Sequence, residues 1–236
     1  MKLRFLNFGC GVNSVSIVAL MVAGKVKPVD YIVFADTGAE KQETYEYLEY
    51  FKTVCPYPIE VIQSKEGSLL DYCRKKVCLP SIYPRWCTDR WKKKPLEKFR
   101  RSKCEEEQEV FLIGIAQDES KRAQAWRNQT NVEFPLLDLH YSRQDCIDEI
   151  VKAGWKVPVK SGCYFCPFSN VTEFAELRTN HPEQFKEICD LEGKYLERLT
   201  ENRIRGWFNP NLPLAAFVDR KVPQSCIGQK CLYCWD

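Results

Sequence analysis

Thirteen cysteines in 236 residues are the first chemical signal in this chain. Ser161-Gly-Cys163-Tyr-Phe-Cys166-Pro167 carries the Cys-x-x-Cys spacing that places two thiolates on one metal ion or cluster, with Pro167 stiffening the turn. Cys226, Cys231 and Cys234 form a second group near the C-terminus, ending in the same spacing. Cys87 stands among Arg85, Arg90 and Lys92, cations that favour a thiolate, the form that binds metal or attacks sulfur. The spacing alone suits a [4Fe–4S] cluster or tetrahedral Zn²⁺. An odd cysteine count without an export signal argues against a disulfide framework, so clustered thiols point to metal ligation or sulfur chemistry. Cys55, Cys73, Cys78, Cys104, Cys146 and Cys189 have no spacing pattern and read as small buried hydrophobes.

Phosphate chemistry is written elsewhere. Asn7-Phe-Gly9-Cys10-Gly11-Val-Asn13-Ser14 lies between the apolar runs Leu3–Phe8 and Val15–Val22, a strand–turn–helix pattern. Gly9 and Gly11 give the backbone freedom to take positive φ and approach a ligand. Asn13 or Ser14 is positioned to cap the helix, whose first amides and dipole favour an anion in the turn. Asp36-Thr37-Gly38, with Glu40 and Glu43 behind it, is a polar turn at the end of the next apolar run. In Arg85-Trp-Cys87-Thr-Asp-Arg90-Trp-Lys92, Arg90 and Lys92 can neutralise phosphate or sulfate, the first bidentately, the second as a point charge. Gly114-Ile-Ala-Gln-Asp118-Glu119-Ser-Lys-Arg122 offers two carboxylates for Mg²⁺ and a cation for an anionic ligand.

The elements that position these residues follow from the apolar pattern. Leu3–Phe8, Tyr31–Ala35, Ile59–Ile62, Val110–Ile115 and Phe134–Leu137 read as strands; Lys41–Val54, Gly67–Lys76, Trp91–Arg101 and Ser142–Ala153 read as helices between or after them. This alternation implies a parallel sheet with helices on both faces and a ligand site at the carboxyl ends of the strands, where Gly9, Asp36 and Gly114 fall. Residues 1–156 are expected to form this α/β domain. Residues 157–236, with helices over Val171–Thr179 and Pro182–Asn202, are expected to form a helical, cysteine-bearing extension packed on it.

At 44% hydrophobic residues the composition is that of a globular protein. The net charge is +3, but residues 85–103 hold nine Lys/Arg against Asp89 and Glu97, a segment charge of +7. Such a run suits nucleotide phosphates or a nucleic-acid backbone, or is a solvated helix face. The apolar run 15–24 is too short to span a bilayer, and a cytoplasmic location without membrane association is expected.

The loop Gly9–Ser14 resembles the Ser-Gly-Gly-x-Asp-Ser phosphate loop of the ATP pyrophosphatase (PP-loop) and phosphoadenosine-phosphosulfate (PAPS) reductase superfamily, with Gly9, Cys10 and Asn13 departing from that form. Asp36-Thr37-Gly38, the Cys87-Thr88…Lys92…Pro95 segment and the Gly114…Glu119-Ser120…Arg122 loop are similar to later motifs of the same proteins, in the same order. The resemblance implies an adenine nucleotide α-hydrolase-like (Rossmann-like) α/β sandwich with a five-stranded parallel sheet. It implies an enzyme that binds ATP or a PAPS-type adenine nucleotide through Gly9, Cys10, Gly11, Asn13, Ser14, Asp36, Thr37, Gly38 and Gly114. Arg90, Lys92, Asp118, Glu119 and Arg122 are then the catalytic set, with Mg²⁺ as a companion ion.

The same resemblance selects Cys87, Cys163 and Cys166 as ligands of an iron–sulfur cluster, with zinc the alternative and Cys226, then Cys231, favoured as the fourth ligand. The implied reaction is sulfur transfer or adenylation, with a nucleic acid as sulfur acceptor and a thiol reductant or sulfur-donor protein as partner. A PAPS or adenosine-phosphosulfate (APS) reductase is the second reading. Its usual Glu-Cys-Gly-x-His tail is replaced here by Gln229-Lys-Cys231-Leu-Tyr-Cys234. A reading of another class is a metal-stabilised, non-catalytic nucleic-acid-binding module.

Overall fold

A computed structural model describes residues 2–126, 128–199 and 206–222. In chain order the elements are β1 (Leu3–Phe8), α1 (Val12–Val22), β2 (Tyr31–Asp36), α2 (Gln42–Val54), β3 (Ile59–Gln63), α3 (Leu69–Lys76), α4 (Trp86–Thr88), a π-helical turn over Asp89–Lys93, α5 (Lys94–Arg101), β4 (Glu109–Leu112), a 3₁₀ segment over Gln117–Trp126, β5 (Val132–Glu133), α6 (Pro135–Asp138), α7 (Arg143–Lys152), α8 (Val171–Asn180), α9 (Pro182–Arg198) and α10 (Leu214–Lys221). The chain divides into two compact units, 1–67 with 88–163 and 68–87 with 164–236. Residues 68–87, which sequence patterning leaves with the α/β part, group with the C-terminal helices.

The first unit is built on a five-stranded, fully parallel sheet in the order β3-β2-β1-β4-β5. Alternation along β1 decides what each face buries. Leu6 and Phe8 join Ile32, Phe34 and Leu112 on the face covered by α1, α2 and α7, where Ile17, Phe51 and Ile150 are fully buried. Phe5 joins Val33 and Phe111 on the other face, under Leu96 and Phe99 of α5. Both faces are dry, which explains why the central strands read as continuous apolar runs. Each fully buried Phe or Leu contributes about 1.5–3 kcal/mol of transfer free energy.

Several expected boundaries shift for identifiable reasons. The fifth strand is not Phe134–Leu137 but Val132–Glu133, because Pro135 opens α6. Proline has no N–H to give a ladder and its fixed φ suits a first helical turn. β4 stops at Leu112, and the segment expected as helix from Trp91 is a π-turn that becomes α-helical at Lys94. α3 begins after Gly67, which sits in the turn at φ +78, and Ser68 Oγ caps it by accepting from Leu70 N. Ser142 and Asp145 form the anticipated cap of α7 as a reciprocal capping box.

The second unit is helical. Asn170 and Glu173 close a capping box at the start of α8. Glu192 of α9, only 2% exposed, accepts hydrogen bonds from Trp207 N (2.6 Å) and Leu214 N (2.7 Å), so it holds the 206–208 turn and the first amide of α10. Burial pushes its carboxyl above the usual range. Phe174, Trp207, Phe208 and Phe217 form the aromatic cluster beside it. No helix among the described residues is long and apolar enough to cross a membrane.

Candidate functional site

The strand order reverses between β1 and β4: the chain moves outward through β2 and β3, then returns to the other side of β1. The crevice beyond the carboxyl ends of such a pair is where open α/β sheets bind ligands. Two loops meet there. The first, residues 9–11, runs from β1 into α1; the second, residues 113–122, leaves β4. They touch at Gly114, where a Cβ would fall 3.0 Å from the backbone of Asn13. A side chain at 114 would force Asn13 to give by a few tenths of an ångström, so glycine suits this approach.

Inside the first loop the roles differ from those expected. The residue at positive φ is Cys10 (+55), while Gly11 is extended at −103. Gly11, not Asn13 or Ser14, is the N-cap of α1, and it provides no side-chain cap. Ser14 Oγ instead accepts from Gly9 N (3.3 Å) and donates to Gly11 O (3.0 Å), tying the loop to itself. The amides of Val12 and Asn13, in the first turn, have no acceptor within the helix and are directed at the crevice end, where the dipole favours an anion. Position 10 is where the resembled loop has glycine, and the left-handed backbone accounts for that preference. The Cys10 side chain is 1% exposed and packs into the core below. Burial first, then the nearby Glu40 carboxylate, pushes its thiol up to about 12. Cys10 can therefore serve a ligand through its amide and not as a thiolate.

Asn13 reaches across the crevice. Its Nδ2 donates to Glu119 Oε2 (3.1 Å) and Gly114 O (3.4 Å), and Glu119 Oε1 pairs with Arg122 at 2.8 Å. Asn13 Oδ1 is buried with no hydrogen-bond partner among the described residues. Asp118 takes no part here; its Oδ1 accepts from Arg143 N (3.0 Å) at the start of α7.

The second βα turn, Asp36-Thr37-Gly38, is closed on itself. Asp36 Oδ1 accepts from Gly38 N (2.8 Å) and Tyr45 Oη (2.7 Å), and Oδ2 accepts from Gln63 Nε2 (2.9 Å). Gly38 sits at φ +67. Burial and the Asp36 carboxylate together push the Tyr45 hydroxyl well above its ordinary range. Thr37 Oγ1 donates to Glu40 Oε1 (3.0 Å) and lies 3.2 Å from Cys163 Sγ. Glu40, 3% exposed, also pairs with Lys92 Nζ at 2.9 Å. Segment 161–163 is drawn in beside it: Lys41 N donates to Gly162 O (2.8 Å), and residues 40 and 163 form an antiparallel bridge. Glu40 is thus the buried anion that holds a lysine and a cysteine at the end of β2. Sequence reading noted it only as an acidic neighbour of the turn, because its partners come from segments about 50 and 120 residues away.

The proposed metal ligands are distributed between segments. Cys163 belongs to the first unit, Cys87 and Cys166 to the second, and Cys226, Cys231 and Cys234 lie outside the described residues. Among the described residues no group of three or more His, Cys, Asp or Glu side chains stands close enough to hold a metal ion. Cys163 Sγ faces Thr37 at 3.2 Å and Glu40 Oε1 at 3.8 Å.

The basic run is largely neutralised. Lys92, Lys94, Arg100 and Arg101 pair with Glu40, Asp89, Glu109 and Glu106 at 2.9–3.1 Å, and Arg90 with Glu66. Arg85, Lys93 and Lys103 lie over the rings of Phe168, Trp126 and Tyr31. Arg90, expected to meet phosphate, is committed to Glu66 through Nε at 2.9 Å and a second bond from Nη2.

No family model matches the chain. It is similar to two uncharacterized proteins of Methanocaldococcus jannaschii: 25% identical over 198 residues to one, covering 75% of this chain and 44% of the relative, and 25% identical over 221 residues to the other, covering 87% and 44%. The chain thus spans less than half the length of the curated relatives it matches. Among solved structures it is similar to a phosphoadenylyl-sulfate (PAPS) reductase from Candida auris in a phosphate complex, with a TM-score of 0.54 and 14% identity over 70% of this chain and 83% of that one. The α/β unit with its five parallel strands has the Rossmann-like fold of PAPS reductase-like proteins.

Proposed function

We propose that this chain is an adenine-nucleotide-binding enzyme of the PAPS reductase-like kind, and that its reaction is nucleotidyl or sulfur transfer. The observation that carries the reading is the crevice between β1 and β4: a helix N-terminus, a close loop contact at Gly114 and a buried acceptor, Asn13 Oδ1, without a hydrogen-bond partner among the described residues, all at the strand-order reversal. The similar solved structure is that of a PAPS reductase in a phosphate complex.

In this reading the amides of residues 10–13 hold phosphate oxygens. Arg122, paired with Glu119 at the crevice, adds positive charge. In an adenylation the acceptor attacks the α-phosphorus, the bond to the bridging oxygen breaks, and pyrophosphate departs. Its developing charge is stabilised by the amides and Arg122, the electrostatic role that dominates phosphoryl chemistry. Asn13 in place of a carboxylate leaves Glu119 as the anionic oxygen nearest the crevice for Mg²⁺. No group among the described residues stands ready to hold an iron–sulfur cluster, and no step is routed through one. Lys92 acts through its pair with Glu40, and Asp36 holds the neighbouring turn in shape.

Calorimetry of the chain with ATP and Mg²⁺, and separately with PAPS, tests the proposal. Saturable binding that Arg122→Ala and Gly114→Val both weaken supports it; no heat with either nucleotide overturns it. The alternative of a nucleic-acid-binding module draws no support from the basic run, whose cations are mostly paired with carboxylates or laid on rings.

A further inference from the structure

A cavity of about 490 Å³ opens within the α/β unit, on the sheet face that carries Phe5 and Phe111. It shares no lining residue with the loops 9–14, 36–40 and 114–122. Its size falls in the range of small-molecule sites.

Two polar atoms on its wall are buried and make no hydrogen bond among the described residues: Asn7 Oδ1 and Arg101 Nη1. Asn7 lies on β1 opposite Val33, in register with the apolar residues of that face. A polar side chain there costs free energy unless something pairs with it. Arg101 Nη1 stands 3.4 Å from Glu109 Oε2, an ion-pair separation without hydrogen-bond geometry. One atom calls for a donor, the other for an acceptor.

The rest of the wall narrows the class of ligand. Four cationic and four carboxylate side chains line the cavity, so it carries no net charge, and a phosphate or a polyanion gains nothing there. Trp126 contributes a large aromatic surface, held at 5.6 Å from Phe111 in a T-shaped contact. Asn131 is held in place by Glu109 Oε1 at 2.9 Å. A flat, uncharged heterocycle with an N–H beside a carbonyl matches this combination.

We propose that this cavity is a second binding site of the α/β unit and that it takes a nucleobase, stacked on Trp126, donating an N–H to Asn7 Oδ1 and presenting a carbonyl to Arg101. The site is independent of the nucleotide crevice.

The test uses uridine and inosine, which carry no phosphate, titrated into the full chain by calorimetry with and without saturating ATP. Saturable binding of either nucleoside that ATP leaves unchanged is expected, with a loss of about tenfold or more in Trp126→Ala, the scale of one lost base–aromatic stack. Asn7→Ala is expected to weaken the same binding. Where Trp126→Ala loses its native circular dichroism, Trp126→Phe keeps a ring against Phe111 and must still weaken binding. No saturation by about 10 mM nucleoside, which is weaker than a millimolar site, overturns the proposal. So does competition by ATP, or an affinity indifferent to residues 7 and 126. A chain that binds uridine but not ATP keeps this site while refuting the proposed crevice.

Discussion

The two βα turns at the carboxyl edge of the sheet begin alike and end as opposites. Both follow buried strands, and both carry glycine and short polar residues. In the turn after β2 every Asp36 oxygen is taken, by Gly38, Tyr45 and Gln63, and Thr37 is held between Glu40 and Cys163. In the turn after β1, Ser14 braces the loop, while the amides of Val12 and Asn13 and Asn13 Oδ1 are left unspent among the described residues. The turn after β1 keeps groups open that a ligand can use, as the proposed function requires; the turn after β2 spends its carboxylate within the protein. Motif letters do not distinguish the two, but hydrogen-bond accounting does.

That contrast can be broken by substitution. The largest stability effect is expected at Asp36: Asp36→Ala strands three donors and should cost about 2–4 kcal/mol in denaturant unfolding. A loss below 0.5 kcal/mol, the scatter of ordinary surface changes at roughly that size, would mean that the turn does not depend on its carboxylate. Gly114→Val comes next. Its side chain must displace the Asn13 backbone, so overpacking should cost about 1–3 kcal/mol, together with loss of nucleotide binding. Arg122→Ala is expected to be the mildest for stability, within about 1 kcal/mol because the Arg122–Glu119 pair is solvent-exposed, while still lowering nucleotide affinity. Equal effects on stability and binding at both turns would erase the distinction.

Cys10 sharpens the comparison by pH. Its thiol titrates near 12 in the fold, against about 9 when exposed. Between those values the folded chain keeps a proton that the unfolded chain has lost, so stability should fall as pH rises from about 9 to about 12. Cys10→Ala should flatten that slope. Alkylation at pH 8 followed by peptide mapping should leave Cys10 unmodified in the native chain.

How much of this was legible beforehand follows from the range of each interaction. The sheet and its helices were readable because strand burial and helix caps are local: β1 came with its bounds, and the Ser142–Asp145 cap was visible in four residues. The fifth strand was misplaced by two residues because Pro135 was read as part of an apolar run instead of a helix start. The loop 9–14 is legible, but its pattern points to glycine as the left-handed residue; the core packing beneath Cys10 is what lets a cysteine take that place. The partners of the basic run are hidden from the sequence for the same reason. Glu40, Glu66 and Glu109, which neutralise Lys92, Arg90 and Arg100, are supplied by other segments and cannot be paired by inspection of residues 85–103.

Whether the turn after β1 seats a nucleotide is read directly from its backbone amides. In a ¹H–¹⁵N correlation titration with ATP and Mg²⁺, the account predicts saturating shifts concentrated at Gly9–Asn13 and Gly114, with the amides of Gly38 and Ala39 nearly still. Shifts centred on residues 36–39 instead, or none at residues 9–13 at saturating nucleotide, would contradict it.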